Sequence, residues 1–270
     1  MKFLDQYHNS TTQGKITISA KQGSDFAKNI AGDFNPIHDS LSKRFCVPGD
    51  LLFALALKEY GLHKNMAFEF LDLVSADTEF SYPQLDSDEA DLKVLNSKGK
   101  AVLAVQYNGG GSSEALKTEK LLKNYVAFSG QNFPVILVSL MKQHGVMVNP
   151  KRTLVIYKSM SFALHDLSFN DSEIELENSE LSVNGKRGNA VLSFSIKSNG
   201  QAIGTGRKTL VLSGLRDYDE LAVEELSEEY LARKNAWSGS SEKPVVKSLY
   251  SQYQDFSLAP RLFLSTGNQL

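Results

Sequence analysis

The hydrophobic pattern near the amino terminus changes period and predicts two short elements. Polar and β-branched residues alternate over residues 15–19, which is the pattern of a short strand. Apolar residues at the three- and four-residue spacing of one helix face then follow over residues 24–31. We therefore predict a helix that ends near residue 31, with Ser19 or Ser24 as its cap.

A continuous apolar run begins at residue 51. Every residue over 51–57 is leucine, phenylalanine or alanine, and Gly61 follows shortly afterwards. A helix that is apolar on all sides has to be buried on all sides. We predict that this run is the central helix of the first half and that Gly61 ends it.

Beyond this helix the hydrophobic period becomes two, which predicts an antiparallel sheet packed on the buried helix. The predicted strands cover residues 66–74, 78–85, 92–95 and 101–107. The glycine-rich segment 109–113 that follows predicts a linker or an exposed loop.

The second half repeats this layout with different residues. A helix is predicted over 121–129, and a second buried helix over 133–141 is stopped by Gly145. The predicted strands that follow cover residues 153–164, 174–183, 190–197 and 202–212. The repetition suggests a duplication, so we expect two central helices related by approximate two-fold symmetry, with their sheets joined edge to edge.

The chain is accordingly predicted to be of the α+β class, with two similar units and a C-terminal extension. The units cover residues 1–111 and 112–215. Residues 216–270 hold an acidic amphipathic helix, predicted over 218–235, and a polar tail. The apolar face of this helix is expected to pack on the body of the fold.

Composition and charge then exclude several classes of partner. The 270 residues carry a formal net charge of −2, so there is no general attraction to nucleic acid or to an anionic membrane. Cys46 is the only cysteine, which excludes an internal disulfide framework and favours a buried, inert thiol. No long apolar segment or signal sequence is seen in the chain, so we expect a cytoplasmic protein.

The stretch with the most restricted conformation covers residues 32–38 and reads Gly-Asp-Phe-Asn-Pro-Ile-His. Asn35 precedes a proline and is therefore driven out of the helical region, which predicts an ordered turn. A bend there brings the Asp33 carboxylate and the His38 imidazole towards one small volume, an arrangement suited to acid/base chemistry.

This turn and its neighbours resemble the MaoC-like dehydratases, the (R)-specific enoyl-thioester hydratases of hotdog fold. That family combines a Phe-Ala helix, a Gly-Asp-x-Asn-Pro-Ile/Leu-His turn and a His-Gly-Met-Leu start of the central helix. Here Phe26 and Ala27 precede a turn that matches at every defining position, and residues 48–52 read Pro-Gly-Asp-Leu-Leu. The resemblance implies a double hotdog, in which two antiparallel sheets each wrap around a long central helix.

The resemblance also implies roles for individual residues. Asp33 matches the catalytic carboxylate and His38 the catalytic histidine, which together activate one water for addition to a trans-2-enoyl thioester or remove it in reverse. Asn35 matches a residue that supports the turn, and the backbone N–H of Gly49 matches the donor to the thioester carbonyl. The substrate would be carried on coenzyme A or acyl carrier protein, with no cofactor and no metal, and a homodimer is an alternative to the monomer.

The sequence departs from the family pattern where the central helix begins. Pro48 stands in place of the usual histidine, Asp50 stands in place of the methionine, and the loop after His38 is shorter. Two other functions therefore stay open beside hydration. One is a non-catalytic protein that binds acyl thioesters or regulates through them, and the other is an acyl-CoA thioesterase with Asp33 as the base.

The second half lacks the catalytic turn, and residues 129–134 are at most a decayed copy of it. This half is therefore free to shape an acyl pocket, for which Phe133, Val135 and Leu137 are the candidate substrate-binding residues. The alternative is that these three side chains fill an ordinary core, because apolar residues at helical spacing usually do.

Overall fold

The computed structural model describes residues 1–84, 87–112, 114–152 and 154–238. The polar tail predicted after the last helix lies outside these residues. The helices are α1 (Ala20–Phe26), which continues into a π-helical turn (Ala27–Ala31), α2 (Gly49–Tyr60), α3 (Ala115–Gly130), α4 (Asn132–Gln143) and α5 (Glu220–Ser238). Short 3-10 turns cover Lys2–Gln6, Pro36–His38 and Pro150–Arg152.

Two short strands precede the first central helix, and the other strands follow the central helices, as the change of hydrophobic period predicts. They are β1 (Asn9–Ser10), β2 (Ile16–Thr17), β3 (Leu62–Phe70), β4 (Phe80–Ser81), β5 (Ala90–Asn96), β6 (Ala101–Ser112), β7 (Val146–Met147), β8 (Val155–Leu164), β9 (Glu173–Asn184), β10 (Arg187–Ser198), β11 (Gln201–Ser213) and β12 (Arg216–Asp217).

Ten of these strands form one antiparallel sheet in the described part of the chain, and its order has the same layout in both halves. The order is β1-β2-β4-β5-β6-β3-β8-β11-β10-β9. From the centre outwards the first half runs β3-β6-β5-β4 and the second half β8-β11-β10-β9, so corresponding strands lie at equal distance from the junction. β3 and β8 pair antiparallel, with Ala67 opposite Ser161, as two-fold symmetry requires. The molecule is a double hotdog, and the predicted edge-to-edge junction is confirmed.

The predicted central helix of the first half is α2, and it is buried on all sides. Every residue from 50 to 57 is buried. The ring of Phe53 packs edge-on against Phe68 of β3 at 4.9 Å and against Tyr125 of α3 at 5.1 Å between centroids. Because α3 belongs to the second half, the main core is shared by both halves.

The second central helix, α4, is also formed, but it does not begin smoothly. Phe133 has extended backbone angles (φ −114°, ψ 135°), so regular helix starts after it; the peptide bond from Phe133 to Pro134 is cis.

Ser19 is the residue that caps α1, since its hydroxyl accepts a hydrogen bond from the backbone N–H of Gln22.

The prediction of a linker over residues 109–113 is wrong for the described residues 109–112, which continue β6 to its end at Ser112. Gly109 and Gly110 have φ of +85° and +80°, which lets the strand pass through an irregularity opposite β3 without breaking the ladder. Glycines that permit a bulge and glycines that form a flexible loop give the same sequence signal. The strand predicted over 78–85, of which residue 85 lies outside the described residues, is shorter than expected over 78–84. β4 ends at Ser81, two residues before Pro83, which lacks the backbone N–H that a continued ladder would need.

Candidate active site

The turn over residues 32–38 is held by its own side chains. The π-helical turn ends at Gly32, whose φ of +64° reverses the chain. Asp33 then accepts the backbone N–H of Asn35 on Oδ1 at 2.9 Å, and Asn35 accepts the N–H of Ile37 on its own Oδ1 at 3.2 Å. The first bond fixes the direction of the Asp33 carboxylate through Oδ1, and the second holds the Asn35 side chain in the turn.

The imidazole of His38 is held equally firmly. Its Nδ1 lies 2.7 Å from the backbone carbonyl oxygen of Cys46. A carbonyl oxygen only accepts, so Nδ1 carries the hydrogen, and in the neutral ring Nε2 has the lone pair. That nitrogen lies 3.7 Å from Asp33 Oδ2. At this separation one water oxygen can lie about 2.8 Å from both atoms.

The Asp33 and His38 side chains are 24% and 14% exposed, so a small molecule reaches them while bulk water is largely excluded. They line a pocket between the two halves. Of the other residues predicted for the site, Asn35, Gly49, Phe133 and Leu137 also line it, whereas Val135 does not. Phe133 is half-buried and Leu137 is fully buried.

Gly49 is the first residue of α2, and the start of this helix faces the pocket. The first turn of a helix has backbone N–H groups without intrahelical partners and carries a partial positive charge. A Cβ at this position would lie only 2.9 Å from the ring of Tyr157, so the glycine also permits close packing against β8. The position is suited to binding a carbonyl oxygen.

Three polar side chains that the sequence does not bring together meet at the inner wall of the pocket: Asp50, Ser129 and Lys208. They are only 6%, 4% and 3% exposed. The Ser129 hydroxyl donates to the Asp50 carboxylate, at 2.8 Å from Oδ1 and 2.7 Å from Oδ2. The Lys208 ammonium donates to the Ser129 carbonyl oxygen at 3.1 Å and also to its hydroxyl.

The electrostatics of this cluster follow from its burial. Burial raises the pKa of Asp50, while Lys208 and the Ser129 hydroxyl act in the opposite direction. Burial lowers the pKa of Lys208, while the charges of Asp50 and Asp33 act to raise it. One sequence signal could have indicated Lys208: it lies two residues before the buried Leu210 in β11, at an inward-facing position.

The C-terminal helix α5 closes one side of the pocket, a role that its acidic sequence does not predict. Tyr230 is 4% exposed, and its hydroxyl accepts the backbone N–H of Phe34 in the turn at 3.2 Å. The same hydroxyl lies 3.3 Å from the carbonyl oxygen of Gly130 and 3.4 Å from that of Gly32. One side chain thus ties α5 to the turn and to the end of α3.

Cys46 is buried beside the site, and burial raises the pKa of its thiol to about 11. The prediction of a buried thiol is confirmed. Among the described residues no group of three or more histidine, cysteine or acidic side chains is arranged to hold a metal ion. Nor does any helix in this part of the chain combine the length and hydropathy needed to cross a membrane.

Comparisons with known proteins give one family match and several similar folds. The family model described as Protein of unknown function (DUF3581) matches residues 2–221. No protein of curated function matches the chain. Similar solved structures include an acyl-CoA thioesterase II from Mycobacterium marinum, with 10% identity and a TM-score of 0.40 over 81% of this chain and 98% of that chain.

Two further solved structures are similar to this chain at comparably low sequence identity. A tesB protein from Mycobacterium avium subs paratuberculosis has 11% identity and a TM-score of 0.46, over 78% of this chain and 98% of that one. A MaoC-like dehydratase has 8% identity and a TM-score of 0.38, over 77% of this chain and 98% of that chain.

Proposed function

We propose that this chain, which belongs to the DUF3581 family, adds water to an enoyl thioester or removes it from the corresponding 3-hydroxyacyl thioester. One observation carries the proposal. The Nε2 lone pair of His38 faces Asp33 Oδ2 at 3.7 Å inside a pocket, while the Cys46 carbonyl holds the other ring nitrogen. A fixed base and a fixed carboxylate that can share one water are the requirements for activating it.

In the direction of hydration, His38 Nε2 takes a proton from the water as the water oxygen bonds to C3 of the enoyl group. The electron pair of the C2–C3 double bond moves towards the thioester carbonyl and forms an enolate. The protonated His38 then returns the proton to C2, so that one water has been added in total. Asp33 orients the water and stabilises the imidazolium, because its charge lies beside the ring.

The enolate oxygen needs a positive partner, and the start of α2 is the proposed place for it. The Gly49 backbone N–H is the donor, as the resemblance to the MaoC-like dehydratases implies, and the partial positive charge of the helix terminus adds to its effect. The acyl group is carried on coenzyme A or acyl carrier protein, and Phe133 and Leu137 are the proposed contacts for its chain.

The test is hydration of crotonyl-CoA and of longer trans-2-enoyl-CoA thioesters. We expect Asp33→Asn and His38→Ala each to lower kcat/KM by about 10²–10⁴-fold, the range for loss of a positioned general acid or base. The double variant should lose little more than either single variant, because the two groups act on one water. Asp166→Asn and His144→Ala change exposed residues of the same types and should leave the rate unchanged.

Two other results would replace this proposal. If free thiol is released from saturated acyl-CoA and the release depends on Asp33, the protein is a thioesterase. If the wild-type chain binds acyl-CoA but neither hydrates nor hydrolyses any thioester in the panel, it is a binding or regulatory protein. Hydration that persists in both single variants would remove Asp33 and His38 from the mechanism.

A further inference from the structure

The proposed reaction places negative charge on the thioester oxygen, and Asp50 would oppose that charge. Asp50 is in the first turn of α2, next to Gly49, and it is 6% exposed. A carboxylate this close to the proposed carbonyl site disfavours an enolate unless a cation compensates for it. The cation that faces Asp50 in the described structure is Lys208, which comes from the other half of the molecule.

Lys208 is held in a definite position. Its ammonium donates to both the carbonyl and the hydroxyl of Ser129, and that hydroxyl donates in turn to Asp50. The ammonium also lies 4.3 Å from the centroid of the Tyr157 ring. Two opposite charges this deeply buried and bridged by a serine cost desolvation, and they are often no better for stability than apolar residues of the same volume, so stability alone does not account for them.

The position of Tyr157 relates the lysine to the proposed carbonyl site. Its ring is in contact with Lys208 on one side, and Cδ1 of the same ring lies 2.9 Å from where a Cβ of Gly49 would be. The same aromatic ring therefore borders both Lys208 and the start of α2, and Gly49, Tyr157 and Lys208 all line one pocket. Asp33 lines this pocket too, and its charge acts to raise the pKa of Lys208, as that of Asp50 does.

We propose that Lys208 is a further catalytic residue, whose ammonium stabilises the thioester oxygen as the enolate forms, and that Ser129 and Asp50 position it. The inference rests on the proposed function, because it concerns the same site. It means that the second half, which has no copy of the catalytic turn, still supplies one group to the chemistry. No bond to Lys208 forms or breaks; it contributes charge only.

The test uses 4-dimethylaminocinnamoyl-CoA, a conjugated thioester whose absorption moves to longer wavelength when a positive charge approaches its carbonyl oxygen. Binding to the wild-type protein should produce this shift, and Lys208→Met should remove most of it. In turnover of enoyl-CoA, Lys208→Met should lower kcat by about 10²–10³-fold with little change in KM, as for loss of one oxyanion donor. Lys197→Met changes a half-buried lysine of the neighbouring strand β10 that does not line the pocket, and it should change neither measurement.

Asp50→Asn separates a catalytic role of the Lys208 charge from a purely structural role of the cluster that Lys208 forms with Ser129 and Asp50. It keeps a polar side chain beside Ser129 but removes the anion, so at pH 6 the wavelength shift should persist or increase. As the pH is raised, Lys208 loses its proton and the wavelength shift disappears. In Asp50→Asn this should happen at a lower pH than in the wild type, because Asp50 acts to raise the pKa of Lys208. If Asp50→Asn abolishes the shift at pH 6 as Lys208→Met does, the pair is structural and the inference is wrong.

If Lys208→Met alone does not fold, the double variant Asp50→Asn/Lys208→Met carries no unpaired buried charge and is compared with Asp50→Asn. A shift that survives the loss of Lys208, or no shift in the wild type, overturns the inference and leaves the hydration proposal intact. A Lys208-dependent shift without any hydration by the wild type overturns the hydration proposal and leaves the inferred contact with the carbonyl in place.

Discussion

Within the turn over residues 32–38, backbone groups fix the two ionisable side chains. The Cys46 carbonyl selects the tautomer of His38, and the Asn35 N–H sets the direction of Asp33. A base whose ring is already held in place loses less orientational entropy when it reacts, which is the physical advantage of a pre-organised site. Cys46 thus contributes through its backbone carbonyl.

The Cys46 thiol should therefore be nearly inert in the folded protein. A pKa of about 11, against an ordinary value of 9.0, leaves about one hundredth of the thiolate that the unfolded chain has at neutral pH. Alkylation by iodoacetamide at pH 7.5 should be at least about 100-fold slower in native protein than in guanidinium chloride. Since this is the chain's only cysteine, mass spectrometry gives an unambiguous rate, and similar rates in the two conditions would contradict the assignment.

At the scale of elements, one helix of the second half and the C-terminal helix complete a site that begins in the first half. α5 reaches the turn through Tyr230, whose ring also lies edge-on to Phe34 and Phe133, at 6.0 and 5.4 Å between centroids. α4 contributes Phe133 at its irregular start and Leu137 one turn later. The turn's geometry therefore depends on packing from elements about 100 and 200 residues away in the chain.

Tyr230→Phe tests the link between α5 and the turn. The substitution keeps the ring but leaves the buried Phe34 N–H without the hydroxyl that it binds, which should lower the free energy of unfolding by about 1–3 kcal/mol. Urea denaturation measures the change. Tyr60→Phe, which removes an exposed bond to the Pro83 carbonyl, is the matched control and should stay within about 0.5 kcal/mol of wild type. Equal effects of the two substitutions would show that α5 does not support the turn.

The start of α4 decides between an acyl pocket and an ordinary core. Phe133 is half-buried at the pocket wall, so Phe133→Ala should shift the preference in kcat/KM across C4 to C12 enoyl thioesters towards longer chains. Its cost in stability should be below the roughly 3–5 kcal/mol of a core phenylalanine. Val135→Ala, on the same helix but outside the pocket lining, should leave the chain-length preference unchanged. An unchanged profile for Phe133→Ala with a large fall in Tm would assign Phe133 to the core.

For the whole molecule, the mirrored strand order has one consequence for stability. The β3–β8 junction makes the sheet continuous, and the main core combines Phe53 and Phe68 of the first half with Met160, Phe162 and Phe194 of the second. Separation of the halves would expose this apolar surface together with the unpaired edges of both strands. Such edges are unfavourable in water and prone to aggregation.

Neither half should therefore fold alone. Residues 1–112 and 114–238, expressed separately, should lack a cooperative thermal transition and should bind the dye ANS, whereas their co-expression should restore a single transition. Thermal melts followed by near-ultraviolet circular dichroism provide the measurement, with the intact chain as the reference. A cooperative transition of either half by itself would contradict the shared core.

The sequence by itself determined the features that depend on neighbouring residues. The buried helix at 51–57, the alternating strands and the Asp-x-Asn-Pro turn each follow from a local pattern, because helical periodicity, alternation and restricted backbone angles act over a few residues. Tertiary structure decided the rest. Asp50 and Lys208 each lie 79 positions from Ser129, and only the packing of the two halves brings them to one wall. The bulge at Gly109 and the contact of Tyr230 with the turn likewise depend on partners far along the chain, which no local pattern encodes.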